Sequence, residues 1–251
     1  MPFPFKRIIE HREYPNTFLR RVIVYASFET RRAEFFDQEV LKIFRSYLSS
    51  MYNHEGGIGD FPSKVLEISS EDGNTDISFY NGGFLLSFSQ KGYKSFIDTV
   101  VPHLTRLRVF VERVMKSSVC DEMRVRKVNI WQFGPKSDLD FDYGLTSRAV
   151  FSSDLINYPD KVSLSEREKA LPLQSKIIWK DDSKTINLLT GFAKLDSGAS
   201  NLLLDTEFVE SSNIPVSEMQ ETMLKMNGTL FDVYQWSIND QVRKLMDKKM
   251  V

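Results

Sequence analysis

The chain has 251 residues, 41% of them hydrophobic and 27% charged, with a formal net charge of −1 at pH 7. That is enough for one large domain or two small ones around a real core, and so balanced a charge supplies no bulk field to recruit nucleic acid or an anionic membrane. The one cysteine, Cys120, cannot form an internal disulfide, and no apolar run approaches the ~20 residues that span a bilayer, so a cytoplasmic, reducing setting without a membrane partner is the expectation.

Residues 1–20, with Pro2, Pro4 and Pro15, read as an extended arm without the apolar core of a signal peptide. Arg21–Thr30 alternates Val22, Val24, Ala26 and Phe28 against Ile23 and Tyr25, which predicts a central strand. Ala33–Tyr52 keeps helical spacing through Phe36, Val40, Ile43, Phe44 and Tyr47. Asn53–Pro62 is a glycine-rich loop. Lys64–Ser70, Thr75–Tyr80 and Phe84–Gln90 then read as three strands, separated by Glu71-Asp72-Gly73-Asn74 and Asn81-Gly82-Gly83. An Asn-Gly pair between alternating apolar runs is a strong hairpin signal.

Tyr93–Val119 is the long amphipathic helix around which this half is organised. Ile97, Val100, Val101, Leu104, Leu107, Val111, Val114 and Met115 recur at steps of three and four, the stripe of a helix with one buried face. Pro102 marks a kink or a restart. Met123–Phe133 reads as the strand that closes the sheet. Residues 134–172 break the pattern, which sets an expected boundary near 135–150 and two units, 1–135 and 136–251, although one continuous domain is compatible with the same pattern.

The second half repeats the outline. Leu173–Lys180, Lys184–Leu195 and Asn201–Glu210 read as strands. A helix follows with Pro215 in its first turn and Val216, Met219, Met223, Met226, Leu230 and Val233 as its stripe. Ser237 and Asp240 resemble a capping arrangement for a last helix, Ile238–Met250. Segregated strands and helices predict an α+β fold: two antiparallel sheet-plus-long-helix units packed in tandem.

Few residues suggest chemistry. Asp138, Asp140 and Asp142 alternate, so an extended backbone would put three hard oxygen ligands on one face, as Mg²⁺ or Ca²⁺ requires. Arg124 and Arg126 are the candidate phosphate or ligand contacts. Met219, Met223 and Met226 form a stripe that would be a partner-binding face if exposed and is core if not. His11, His54 and His103 have no metal-ligand spacing, and no G-x-S-x-G, H-E-x-x-H or C-x-x-C is present. Gly56-Gly57-Ile58-Gly59 lacks the lysine and the strand-to-helix setting of a phosphate loop. Arg7, Arg12, Arg20, Arg21, Arg31 and Arg32 make the start of the chain basic, without a nucleic-acid motif to go with them. Cys120 reads as a buried, inert thiol.

Three segments are similar to a sporadically distributed bacterial protein family of about this length that carries no assigned activity. They are Tyr93 and Phe96 of the helix followed by Arg124, Arg126 and Asn129 of the next strand, then Asn201–Val209 with its central Asp205, then Leu230–Met246. The resemblance implies an accessory, mobile-element or defence-linked role and no catalytic residues. The leading expectation is a non-enzymatic cytoplasmic module, without a cofactor, that binds a protein partner or assembles into an oligomer. The alternatives are a metal-dependent phosphoesterase or nuclease-like enzyme using Asp138, Asp140 and Asp142, and a small-ligand sensor.

Overall fold

The computed structural model describes residues 3–5, 18–29, 54–55, 64–70, 72–80, 82–133, 149–156, 174–194 and 200–247. The first strand, β1 (Leu19–Phe28), carries out the expected alternation: Val22, Val24, Ala26 and Phe28 are fully buried, and Ile23, Tyr25 and Ser27 face the other way. It is followed by β2 (His54–Glu55), β3 (Lys64–Ser69), β4 (Thr75–Tyr80) and β5 (Gly83–Ser89). Asp72 shapes the β3–β4 turn by accepting hydrogen bonds from Ser70 Oγ at 2.6 Å and Asn74 N at 3.0 Å. Hydrogen bonding, from the Asn74 side chain first and then from Ser70 and the Asn74 backbone, holds its carboxyl down at about 2. Gly83 is needed for close approach, since a Cβ there would lie 2.7 Å from the Ala26 carbonyl oxygen.

The long helix α1 is shorter than the sequence pattern suggests. It runs as a π-helical turn (Phe96–Val100), an α-helical centre (Val101–Phe110) and a second π-helical turn (Val111–Met115). Ser95 caps it by accepting from Asp98 N at 3.0 Å, which fixes the start three residues after Tyr93. Lys116 ends it in the left-handed conformation, φ 52°, so Val119 belongs to the next strand instead. The wider π turns move the buried stripe toward four-residue steps through Phe96, Val100, Leu104, Val111 and Met115, with Leu107 beside it. Ile97, expected in the stripe, is thereby 66% exposed.

β6 (Val119–Phe133) comes next, then β7 (Gln174–Asp181), β8 (Lys184–Lys194), β9 (Ser200–Glu210) and the two-residue β10 (Ile214–Pro215). All pairs are antiparallel and join one sheet in the order β2-β3-β4-β5-β1-β6-β9-β8-β7, with β10 on β6. The α+β fold is thus two meander-plus-helix halves in tandem, and they share a sheet. β6 is the seam, paired with β1 on one side and with β9 along Met123–Phe133 on the other. β5 and β6 both run antiparallel to β1 and so parallel to each other, which is why a helix must carry the chain between them. The expected boundary falls largely on 134–148, outside the described residues, as does the expected helix Ala33–Tyr52 except for its surroundings in sequence.

A short helix, α2 (Ser153–Ile156), precedes β7. After β10 a single 3₁₀ turn (Val216–Glu218) leads into α3 (Met219–Ser237), then α4 (Asp240–Asp247). The cap of α4 is Asn239, whose Oδ1 accepts from Val242 N at 3.0 Å, and not Ser237, whose hydroxyl donates to the Val233 carbonyl at 2.7 Å inside α3. Ile238 is extended between the helices and bridges Phe151. α1 and α3 lie side by side, joined by Thr105 Oγ1 to Gln220 Oε1 at 2.9 Å, and cover one face of the sheet. Phe79 and Phe88 meet Phe110 and His103 of α1, while α3 packs on β6 and β9. At the far end Phe3 packs edge-on against Trp179 and Trp236, and Phe5 stacks on Trp236 at 4.6 Å, so this part of the N-terminal arm is held by an aromatic cluster.

Candidate functional site

Period two gives the sheet two unlike faces. On β6, Met123, Val125 and Trp131 enter the core beneath the helices. Arg124 and Arg126 take the face opposite α1 and α3, as do Asp205 and Glu207 of β9 and Asn187 of β8, and the register lines Arg126, Glu207 and Asn187 up across three strands. The candidate ligand contacts are therefore brought together, but not left free. Arg126 Nε donates to both oxygens of Asp205, at 2.9 and 3.1 Å, and its Nη2 donates to the same carboxylate. Arg124 Nε donates to Glu122 Oε1 at 2.7 Å, its Nη1 lies 3.9 Å from Glu207, and its guanidinium sits 5.6 Å from the centre of the Tyr25 ring. These bonds, with Asp205 and Glu122 respectively as the leading partner, push both arginines above their usual value. Asn187 Nδ2 donates to Glu207 Oε2 at 3.1 Å.

Three carboxylates thus face two guanidinium groups. A phosphate approaching either arginine must displace a bonded carboxylate and meet its charge, so the network is built to hold its own shape more than to grip an anion. Asp205 is legible in the sequence only as the central acid of Asn201–Val209, and nothing there pairs it with Arg126; the pairing is a diagonal across β6 and β9 that needs the register.

Other candidates are placed as follows. Asp138, Asp140 and Asp142 lie outside the described residues, as do the Gly56–Gly59 loop, His11, Arg7, Arg12, Arg31 and Arg32. Among the described residues, no group of three or more His, Cys, Asp or Glu is placed to hold a metal ion. Met219, Met223 and Met226 are buried to 0%, 0% and 2% exposure, so in this fold the stripe packs the core and presents nothing at the surface. His103 lies tilted against Phe88, ring centres 5.3 Å apart, and burial, helped by Arg106, brings it down to about 4. It is neutral at pH 7. Cys120 is fully buried between β1 and β10, and burial with Asp121 nearby pushes its thiol up to about 12.

Lys127 is the residue that sequence reading passed over. Next to Arg126 in sequence, it falls on the other phase of the alternation, with Met123 and Val125, and so points beneath the helices. Val22 and Thr206 flank it in register, and burial alone brings its ammonium down to about 8. Asn129, fully in the same phase, is buried to 4% exposure.

Among the described residues no helix is long and apolar enough to cross a membrane. The chain matches no protein-family model, and no curated protein sequence matches it. Function rests on the geometry.

Proposed function

We propose that the chain is a non-enzymatic binding or assembly module that takes a protein partner along the open edge of its sheet. The observation that carries this reading is β7. Among the described strands it ends the sheet, paired with β8 on one side only, and it bears Ile178, 46% exposed and one of two exposed large hydrophobic residues among those described. An unpaired edge with an apolar side chain on it is a template for another chain. The neighbouring face adds a charged network already neutral enough to be covered by a protein surface. We read the setting as cytoplasmic, from the single cysteine, and the role as accessory or defence-linked, from the bacterial resemblance.

The test is native mass spectrometry of tagged protein recovered from its host, with wild type and Ile178→Asp in parallel. A stoichiometric protein partner retained by wild type and lost by the variant is the expected result. A wild-type monomer that retains no protein overturns the reading.

A further inference from the structure

We infer that β7 accepts an extended acidic peptide as an added strand, with acidic residues opposite Lys176 and Lys180 and an apolar residue opposite Ile178. This rests on the reading of the sheet edge as a docking site and names the chemistry of its partner.

β7 and β8 are joined by the two-residue turn Asp182–Ser183, and Asp181 pairs with Lys184. A turn that short makes Asp181 and Lys184 a hydrogen-bonded pair, exchanging both backbone bonds. Counting back, Trp179 and Ile177 also direct their N–H and C=O groups toward β8. Lys180, Ile178 and Lys176 direct theirs outward, away from the sheet. The same three residues have their side chains on the face opposite α1 and α3, because Ile177 and Trp179 are the buried ones. One strand therefore offers, at the same three positions, backbone bonding groups that no described strand takes up and the side-chain pattern Lys-Ile-Lys, with all three side chains exposed.

The charge pattern selects the partner. Among the described residues neither Lys176 nor Lys180 is joined in an ion pair, unlike Lys184 on the next strand, which lies 3.5 Å from Glu210. A second copy of this chain is disfavoured: antiparallel self-pairing that sets Ile178 against its twin puts Lys176 opposite Lys180 at both ends, and like charges directly opposite each other destabilise a ladder. Lysines on an edge strand are a known device against such association. An incoming strand with acid, apolar and acid at alternate positions turns both repulsions into attractions and covers Ile178 as well.

The experiment is fluorescence anisotropy on the full chain with a labelled peptide of sequence Ser-Glu-Thr-Ile-Val-Glu-Ser, and the same peptide with both Glu replaced by Lys. The acidic peptide is expected to bind at least tenfold more tightly than the basic one. The double variant K176E/K180E should reverse that order, a result that loss of folding cannot produce. Circular dichroism matching wild type checks the variant's fold. Equal affinities, an absence of binding to wild type, or a preference unchanged by the charge swap would each overturn the inference. So would a wild-type homodimer, by native mass spectrometry, that Ile178→Asp dissolves. If a host protein is captured in an Ile178-dependent way while the acidic peptide fails, the edge is the docking site and only the acidic assignment falls. If neither binds, both fall.

Discussion

Arg126 and Asp205 are joined across the β6–β9 seam by a two-pronged bond in which the carboxylate is the buried partner, with 8% of its side chain exposed against 43% for the arginine. The two residues are not directly opposite; Arg126 faces Glu207 and Asp205 faces Val128, so the bond runs diagonally and ties two rungs of the ladder together.

That asymmetry of burial predicts an asymmetry of cost. Arg126→Met strands a buried carboxylate and is expected to destabilise the chain by about 1–3 kcal/mol. Asp205→Asn leaves a half-exposed guanidinium that water can solvate, and is expected to cost about 1 kcal/mol or less. Urea denaturation of the two variants checks the order. Equal losses would show that the pair does not distinguish its members.

Lys127 makes stability depend on pH. Its value is about 8 in the folded chain against 10.5 for an ordinary lysine. Between those values the unfolded chain holds the proton and the folded chain has lost it, so stability rises with pH across that window. Below pH 8 both states are charged and the full penalty for burying the ammonium is present. Lys127→Met is therefore expected to stabilise the chain at pH 7, by at most about 3 kcal/mol, and to remove the difference in slope between pH 8 and 10.5. Paired denaturation curves at pH 7, 9 and 10.5 test it; variant and wild-type curves that stay parallel would refute it.

Cys120 should report opening of the sheet. Buried between β1 and β10 with its thiol held up at about 12, it is expected to resist alkylation at pH 8 in the native chain and to react fully in denaturant. Fast native labelling at pH 8 would mean that β10 detaches readily from β6.

Two backbone positions predict opposite effects. Gly83→Ala places a methyl group 2.7 Å from the Ala26 carbonyl oxygen and should cost about 1–3 kcal/mol. Lys116→Gly relieves a left-handed residue at the end of α1 and should stabilise by about 0.5–1 kcal/mol. Thermal unfolding distinguishes the signs.

The proposed module also has an expectation about metal. Titration calorimetry with Mg²⁺ or Mn²⁺ is expected to give no saturable heat. Saturable binding that vanishes in the triple variant D138N/D140N/D142N would move the reading to the metal-dependent enzyme.

Most of the strands were legible because each half-buried strand must alternate and each turn declares itself. Thr75–Tyr80 is met to the residue, and the other expected strands shift by one or two at their ends, apart from β6, which starts four residues before Met123; the two-residue β2 and β10 fall where a loop, Asn53–Pro62, and the first turn of a helix, at Pro215, were expected. That start was hidden because Val119 and Met115 are both apolar, and no local signal says that Lys116 will turn left-handed between them. The fusion of two expected sheets into one was hidden for a different reason: β6 and β9 pair across a long stretch of intervening chain, and alternation sets which face a residue takes without naming its neighbour strand. The candidate site was half legible for the same cause. Arg124 and Arg126 stood out as charges on a strand, while Asp205 and Glu207 came from the other half of the chain and Glu122 from β6 itself, and the burial of Lys127 follows only from its phase in the alternation.

The seam also sets an order of events at the ribosome. When β6 emerges, β1 is already available for one of its edges, but the partner for Met123–Phe133 on the other edge lies at residues 200–210. At roughly 5–20 residues per second of synthesis, that edge stays unclaimed for several seconds in every nascent chain. Arg124, Arg126 and Lys127 sit in the first half of that stretch. Until β9 is made, Arg126 has no carboxylate across the seam, so the bond that ties the two halves together can form only near the end of synthesis.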